Sequence, residues 1–356
     1  MQPIADQCYQ PEWIQAKRTE LGGVDPLLLE KAIRALSLVG ALAARNIPFI
    51  FKGGSSLLIK LDRLRRVSID ADIIWLEKPD KLLPVLEEIS KEAPFIGFAE
   101  DDRGGHRLPA RKHFKFFFRS LDAKHQTPYV LLDVLLEGNV YPNTEPVPLR
   151  APFIATTREV PVLTPTIEGL LGDKLTAFAP NTVGVPCDDY YSLQVIKQVF
   201  DIDDLFNVAK HLDEVSAAYH AVFEAEKGYR HGKWQAADAL QDTITTGFLL
   251  SQIGLKGETV NATTQLLEKG RKQIASHLIG TNYGRQHAQI SAAKAACIAA
   301  YIQSAKPLAS LDAIRYSPDK LAQLPGKPMT APYEILNRLT VNAEALWYWH
   351  QAQQAR

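Results

Sequence analysis

The sequence predicts an α/β domain followed by a mostly α-helical domain. Up to about residue 165, apolar runs with strand-like alternation stand between stretches with helical spacing, and from Thr166 onward the pattern is mostly helical. A chain of 356 residues fits two domains of ~150 residues each. Hydrophobic residues make up 46% and charged residues 22%, which is typical of a globular protein with a real core. We therefore expect a core domain over residues 1–165 and a helical domain over residues 166–356.

The pattern of apolar residues assigns individual elements within these domains. Helical spacing predicts helices at Pro26–Arg45, Leu57–Leu64, 78–93, 166–179, 192–212, 289–305 and 334–352. Apolar runs, most of them alternating, predict strands at 47–52, 68–76, Lys112–Arg119 and Tyr129–Leu136. The polar link Ser120–Pro128 predicts that the last two strands form an antiparallel hairpin.

The charge balance excludes a chain that is basic overall. Lysine plus arginine total 40, and so do aspartate plus glutamate, so any nucleic-acid contact must use a local patch. One segment qualifies, because seven basic residues face one acid, Asp122: Arg103, Arg107, Arg111, Lys112, Lys115, Arg119 and Lys124. Among these we expect Arg103, Arg107, Arg111 and Lys112 to contact RNA or nucleotide. The interleaved Phe114, Phe116 and Phe118 include at least one row that packs in the core, and His106 and His113 are expected at the surface.

Cysteine usage and hydropathy favour a cytoplasmic protein with no membrane contact. Cys8, Cys187 and Cys297 lie far apart, which argues against a disulfide framework and a cysteine zinc site. No apolar run approaches the ~20 residues that span a bilayer, and the first residues lack the pattern of a secretory signal.

The most informative feature is a set of acids placed after a glycine turn. The turn Gly53–Ser55 is followed, after 14 intervening residues, by Asp70 and Asp72. Residues i and i+2 of a strand share a face, so these two carboxylates aim at one point. Asp133 adds one charge to an otherwise apolar strand. Such carboxylates repel unless a cation neutralises them, and Mg²⁺ or Mn²⁺ takes oxygen ligands of this kind. The alternatives are an exposed strand edge for the pair and a buried, paired acid for Asp133.

The glycine turn suits a phosphate chain. Gly53 and Gly54 let the backbone approach closely, and the start of the following helix favours anions. The Ser55 hydroxyl can donate a further hydrogen bond to the same phosphates. The turn is not a Walker A loop, because no Gly-Lys-Ser/Thr follows it.

The order of these motifs resembles the polymerase-β-type nucleotidyltransferases and, more closely, the AbiEii family of bacterial toxin nucleotidyltransferases. The matching motifs are FKGGSSL (Phe51–Leu57), RVSIDADI (Arg66–Ile73), GDKLTAF (Gly172–Phe178) and DIDDLF (Asp201–Phe206). The resemblance implies a polymerase-β-like core with a mixed sheet, followed by the helical domain.

The resemblance also implies roles for individual residues. Gly53, Gly54 and Ser55 would bind the triphosphate, Asp70 and Asp72 would bind Mg²⁺, and Asp133 would be the third acid. Arg66 and Ser68 would contact phosphate or support the strand.

In the helical domain, Lys174 would reach the nucleotide phosphates, and Asp201 and Asp204 would form a second acidic pair near this lysine or active in catalysis. The alternatives are a surface salt bridge for Lys174 and a solvated helix N-terminus for the two acids, where the helix dipole favours aspartate.

The function implied by the resemblance is Mg²⁺-dependent transfer of a nucleoside monophosphate (NMP) from a nucleoside triphosphate (NTP) to a macromolecule. The expected acceptor is the 3′ end of a tRNA, and the expected role is the toxin of a toxin–antitoxin or phage-defence pair, with a cognate antitoxin as partner. Two alternatives remain: NMP transfer to a protein hydroxyl, and a regulator that binds nucleotide or RNA without catalysis.

Overall fold

A computed structural model describes residues 2–101, 110–121, 127–230, 232–304, 306, 308, 310–323 and 328–356. The chain divides into two compact units. The N-terminal unit comprises Met1–Asn139, Asn143–Thr166 and Ser276–Thr281, and the C-terminal unit comprises Val140–Pro142, Ile167–Ala275 and Asn282–Arg356. Within the described part of the chain, no helix is both long enough and apolar enough to cross a membrane.

In the residues that the structure describes, the N-terminal unit combines four α-helices with seven strands. The helices are α1 (Pro11–Glu20), α2 (Pro26–Ala43), α3 (Gly53–Lys60) and α4 (Leu82–Ser90), with short 3₁₀ helices at Asp6–Tyr9 and Pro79–Lys81. The strands are β1 (Phe49–Lys52), β2 (Ala71–Trp75), β3 (Phe95–Glu100), β4 (Arg111–Phe118), β5 (Tyr129–Leu135), β6 (Thr144–Pro148) and β7 (Pro161–Pro165).

Five of these strands form a mixed sheet in the order β1-β2-β5-β4-β3. Strand β2 is parallel to β5, whereas the β1–β2, β4–β5 and β3–β4 pairs are antiparallel. The hairpin predicted from the sequence is therefore confirmed as β4–β5. Strands β6 and β7 pair with each other in a separate two-stranded sheet.

The two faces of β4 and β5 differ in burial. Phe114, Phe116 and Phe118 are fully buried, as are Val130 and Leu132 on the neighbouring strand. The alternate positions are only partly buried and include His113 and Asp133, because successive side chains of a strand point to opposite faces. The phenylalanine row is thus core, as expected, and the opposite face is left to polar side chains.

The C-terminal unit is mostly helical. Its α-helices are α5 (Ile167–Ala177), α6 (Ser192–Val208), α7 (Leu212–Tyr229), α8 (Ala236–Ser251), α9 (Ala262–Gln273), α10 (Arg285–Ser304) and α11 (Ala343–Ala355). Its 3₁₀ helices are Leu311–Ala313, Pro318–Gln323 and Glu334–Val341, and a further one, Ile274–His277, runs into the segment that belongs to the N-terminal unit.

Several boundaries differ from the sequence prediction. The helix expected at Leu57–Leu64 begins at Gly53 and ends at Lys60, after which the backbone of Leu61 is extended. The strand expected at 68–76 begins only at Ala71, so Asp70 precedes it. Strand β3, which pairs with β4, was not predicted, because FIGFAE alternates weakly and contains glycine.

A buried carboxylate of α8, that of Asp242, anchors the loop that follows α5. Asp242 accepts hydrogen bonds from the backbone N–H of Asn181 at 2.7 Å, from the Asn181 side chain at 2.7 Å and from the Thr182 hydroxyl at 3.0 Å. Desolvation raises the pKa of Asp242, although these hydrogen bonds to the charged form act in the opposite direction. This cluster holds the start of the loop that leads to α6.

We predict that Asp242→Ala lowers the free energy of unfolding by roughly 2–4 kcal/mol, because the donors of Asn181, Thr182 and Thr246 lose their acceptor at once. Chemical denaturation monitored by circular dichroism measures the change. The matched control is Asp213→Ala, which removes an exposed acid in the first turn of α7 and should cost less than ~1 kcal/mol. Equal losses in both variants would contradict the proposed role of the cluster.

Candidate active site

Four polar residues lie in one row across the sheet of the N-terminal unit. Lys52 is the register partner of Asp72, Asp72 is the partner of Asp133 across the parallel β2–β5 pair, and Asp133 is the partner of His113. Directly opposed residues of neighbouring strands project to the same face. The sheet therefore places two carboxylates side by side, flanked by a lysine and a histidine.

His113 holds one of the two carboxylates. Its Nδ1 lies 2.6 Å from Oδ1 of Asp133, and a carboxylate oxygen only accepts, so the contact requires a proton on Nδ1. The expectation that His113 is a surface residue is wrong, since only 20% of its side chain is exposed. Sequence reasoning missed this residue because the polar link predicted the β4–β5 hairpin but not the register that opposes His113 to Asp133.

Gly53 brings the turn against Asp72. Its φ of +73° lies in the left-handed region, and a Cβ at this position would collide with Oδ2 of Asp72. Glycine avoids both the backbone strain and the collision. The glycine turn and one acid of the row therefore lie in direct contact.

The second glycine and the serine pack against the segment that leads into β2. A Cβ on Gly54 would lie 3.1 Å from Oγ of Ser68 and would crowd the Arg66 guanidinium. The Ser55 hydroxyl is fully buried and donates to the carbonyl of Asp70. The structure thus gives Ser55 a role in fixing Asp70, and its contact with phosphate stays a prediction.

The segment around Arg66 is held by a distant part of the chain. The N–H of Val67 donates to the carbonyl of His277 at 2.8 Å, and the N–H of Ile279 donates to the carbonyl of Arg65 at 2.9 Å. Arg66 itself is buried, with 7% exposed. Residues 276–281 therefore support the approach to Asp70 and Asp72, which no local sequence signal could indicate.

The four residues of the row contribute to the wall of a small cavity of about 90 Å³. The complete lining is Lys52, Asp72, Ile73, Arg111, His113, Asp133, Val134 and Leu135. Arg111 of the predicted basic segment therefore lies at the acids, whereas Lys112 forms an ion pair with Glu100 at 2.9 Å. Arg103, His106, Arg107, Asp122 and Lys124 lie outside the described residues.

The donor set at the row fits a hard divalent cation. Asp72 and Asp133 offer carboxylate oxygens from adjacent strands, and Mg²⁺ commonly binds one or two carboxylates and completes its shell with water and substrate phosphates. Among the described residues, however, no three His, Cys, Asp or Glu side chains already form a metal-binding cluster. The predicted set of Asp70, Asp72 and Asp133 is thus not preassembled, and metal binding stays a prediction.

In the C-terminal unit, Lys174 lies on α5 and its Nζ is 2.9 Å from Oδ2 of Asp201 and 3.0 Å from Oε1 of Gln198. The exposed side-chain fractions of Lys174 and Asp201 are 7% and 1%, and Asp204 is also buried. The alternatives of a surface lysine and a solvated helix N-terminus are therefore wrong, because Asp201 and Asp204 lie well inside α6. The catalytic roles of all three residues stay predictions.

The family of the chain follows from a comparison with known proteins. The model of the family described as "Nucleotidyl transferase AbiEii toxin, Type IV TA system" matches residues 36–284, which is more than half of the chain. The chain belongs to this family. As an AbiEii protein it is a nucleotidyltransferase of the toxin class, and the mixed α/β fold with a helical second part agrees with the prediction.

Solved structures similar to this AbiEii chain share little sequence with it. MenT4, a nucleotidyltransferase toxin from Mycobacterium tuberculosis H37Rv, is 13% identical, with a TM-score of 0.48 over 75% of this chain and 89% of that one. JHP933 from Helicobacter pylori is 14% identical, with a TM-score of 0.41 over 79% and 94%. An antigenic nucleotidyltransferase-like protein from Paracoccidioides brasiliensis is 14% identical, with a TM-score of 0.36 over 55% and 88%. No curated protein matches the chain.

We predict that Gly53→Ala lowers nucleotidyl transfer at least ~10-fold, because the new Cβ displaces the Asp72 carboxylate. Gly23→Ala is the matched control, since Gly23 also has a positive φ, +88°, but its Cβ would meet no atom within 4 Å. Both variants should lose ~1 kcal/mol of stability through backbone strain, whereas only Gly53→Ala should lose the activity. Equal activities of Gly53→Ala and Gly23→Ala would show that the glycine turn does not shape the active site.

We predict that Lys174→Ala lowers the free energy of unfolding by about 3–5 kcal/mol, because it leaves the Asp201 carboxylate buried without its ammonium partner. Thermal and chemical denaturation measure this loss. The control variant Lys91→Ala removes a solvent-exposed ion pair to Glu87 and should unfold like the parent chain. If Lys174→Ala is as stable as the parent, the ion pair does not form in solution.

Proposed function

We propose that the chain transfers an NMP from a Mg²⁺-bound NTP to an RNA acceptor, the 3′ end of a tRNA, as the toxin of a toxin–antitoxin pair. The observation that carries this proposal is the register of Asp72 and Asp133, two carboxylates side by side on parallel strands. Two like charges side by side are costly to keep, and a bound cation with a triphosphate would lower that cost. Family membership supports the reaction type and a cognate antitoxin as partner.

In the proposed reaction an acceptor hydroxyl attacks the α-phosphorus of the NTP. The bond from the acceptor oxygen to this phosphorus forms as the hydroxyl loses its proton to solvent. The bond to the bridging oxygen of the β-phosphate breaks, and pyrophosphate leaves. When bound, Mg²⁺ would neutralise charge on the phosphates and lower the pKa of the attacking hydroxyl. Asp70, Asp72 and Asp133 are the residues proposed to hold it.

The chain's own residues would position the reactants. The backbone at Gly53 and Gly54 lets the triphosphate approach the start of α3, where helix N–H groups favour anions. The hydrogen bond from His113 would orient the Asp133 carboxylate, much as outer partners fix metal ligands elsewhere. Arg111 and Lys52 would offset negative charge at the same cavity.

We test this with purified protein, Mg²⁺, each of the four α-labelled NTPs in turn and total tRNA, followed by a denaturing gel. We expect label on tRNA from at least one NTP. Asp72→Asn and Asp133→Asn should each lower transfer at least ~100-fold, because the charge that stabilises the reacting complex is lost. Asp80→Asn, which changes an exposed acid, is the matched control and should transfer normally.

Two results would contradict the proposal. Label on protein with none on RNA would favour NMP transfer to a protein hydroxyl. Full transfer by both carboxylate variants would place the chemistry away from the Asp72–Asp133 pair.

A further inference from the structure

Two tyrosines are exposed side by side on the C-terminal unit, just before α6. Tyr190 is 78% exposed and Tyr191 is 39% exposed, and their ring centroids lie 4.7 Å apart in an edge-to-face arrangement. In the described part of the chain, neither hydroxyl has a hydrogen-bond partner. Large aromatic surface left open in this way commonly marks a binding surface.

The turn that carries these rings is rigidly held. Oδ1 of Asp188 accepts the N–H groups of Tyr190 at 2.9 Å and of Tyr191 at 2.8 Å, and the carbonyl of Asp188 accepts the N–H of Ser192. The Asp188 side chain therefore fixes the backbone of both tyrosines in the turn that precedes α6. A fixed backbone lowers the entropy that a ligand must overcome to use the rings.

A lysine, Lys269, lies next to the turn formed by residues 188–191. Lys269 of α9 donates to the side chain and the carbonyl of Asp189, at 2.6 and 3.2 Å. Lys269 also lines a cleft of about 510 Å³ together with Lys272 and Arg285. Lys272 is exposed and makes no ion pair within the described residues, so its ammonium is available to an anion.

Acids near the turn pair with two of these three cations, Lys269 and Arg285. The carboxylate of Asp188 is engaged by backbone N–H groups and that of Asp189 by Lys269. In the cleft, Glu268 is bound by Arg271 and Arg285, and Glu258 accepts the N–H of Gly254. Lys272 therefore leaves unpaired positive charge in the cleft among the described residues, and Lys269 keeps further N–H donors besides those that Asp189 accepts.

The face of α6 below Tyr191 leads toward Lys174. Gln198 lies seven residues further along, which is about two turns and ~10 Å on the same side of the helix. Its side chain accepts from Lys174. Between them, Oε1 of Gln194 is buried and has no hydrogen-bond partner among the described residues.

We propose that Tyr190, Tyr191, Lys269 and Lys272 bind the unpaired end of the RNA acceptor, with bases stacked on the tyrosines and phosphates on the lysines. Stacking on aromatic rings beside a cationic groove is the usual mode of single-strand binding and needs no base-specific contact. This inference rests on the proposed function, because it names the surface that receives the acceptor.

The test measures binding of a fluorescein-labelled, unstructured RNA decamer to the full chain by fluorescence anisotropy at low salt, without NTP. Changing both tyrosines, Tyr190→Ala with Tyr191→Ala, should weaken binding at least ~10-fold, because stacking is lost. The matched control, Tyr190→Phe with Tyr191→Phe, keeps the rings and should bind within ~2-fold of the parent. In transfer assays the alanine variant should raise KM for RNA and leave kcat unchanged.

Failure of this inference and failure of the proposed function give different results. If the parent binds the decamer and the alanine variant does not, the surface is supported even when no NMP is transferred to RNA. The inference is overturned if both variants bind like the parent, if the parent does not bind the decamer, or if the alanine change abolishes antitoxin binding while RNA affinity stays the same.

Discussion

One electrostatic constraint shapes the candidate site, the placement of two carboxylates at opposed positions of neighbouring strands. Asp72 and Asp133 occupy directly opposed positions on parallel strands, and like charges at that spacing repel. The surrounding residues answer this constraint: Lys52 and His113 lie at the two ends of the row, and residue 53 is glycine because no other residue leaves room for Asp72. A bound cation with a triphosphate would neutralise the negative charge of the two carboxylates that Lys52 and His113 offset only in part.

The candidate residues that the sequence indicates lie close together along the chain, and their roles in the site stay predictions. The turn Gly53–Ser55, the pair Asp70 and Asp72, and the lone acid Asp133 were recognisable because residue type and spacing are local properties. The β4–β5 hairpin was predictable for the same reason. The pairing of Asp133 with His113 was not predictable, because the polar link left the register of that hairpin open. The support of Arg66 by residues 276–281 was not predictable either, because it depends on how distant segments are brought together.

The C-terminal unit shows a second limit of sequence reasoning. Charged residues within a helix are usually solvated, yet Asp201 and Lys174 are buried together, and Lys294 is buried against Asp203 at 2.6 Å. Because such charges require partners from other helices, only the packed unit reveals them. The same unit exposes two tyrosines where a sequence pattern would suggest only a loop.

The central claim is that Asp72 and Asp133 hold the divalent cation of a bound NTP. It is tested most directly by anomalous diffraction from crystals grown with Mn²⁺ and an NTP analogue that cannot be cleaved between the α- and β-phosphates. We predict an anomalous peak bounded by both carboxylates, within ~2.5 Å of at least one oxygen of each, with the triphosphate against the Gly53 turn. A nucleotide-bound Mn²⁺ peak away from these two residues would contradict the account.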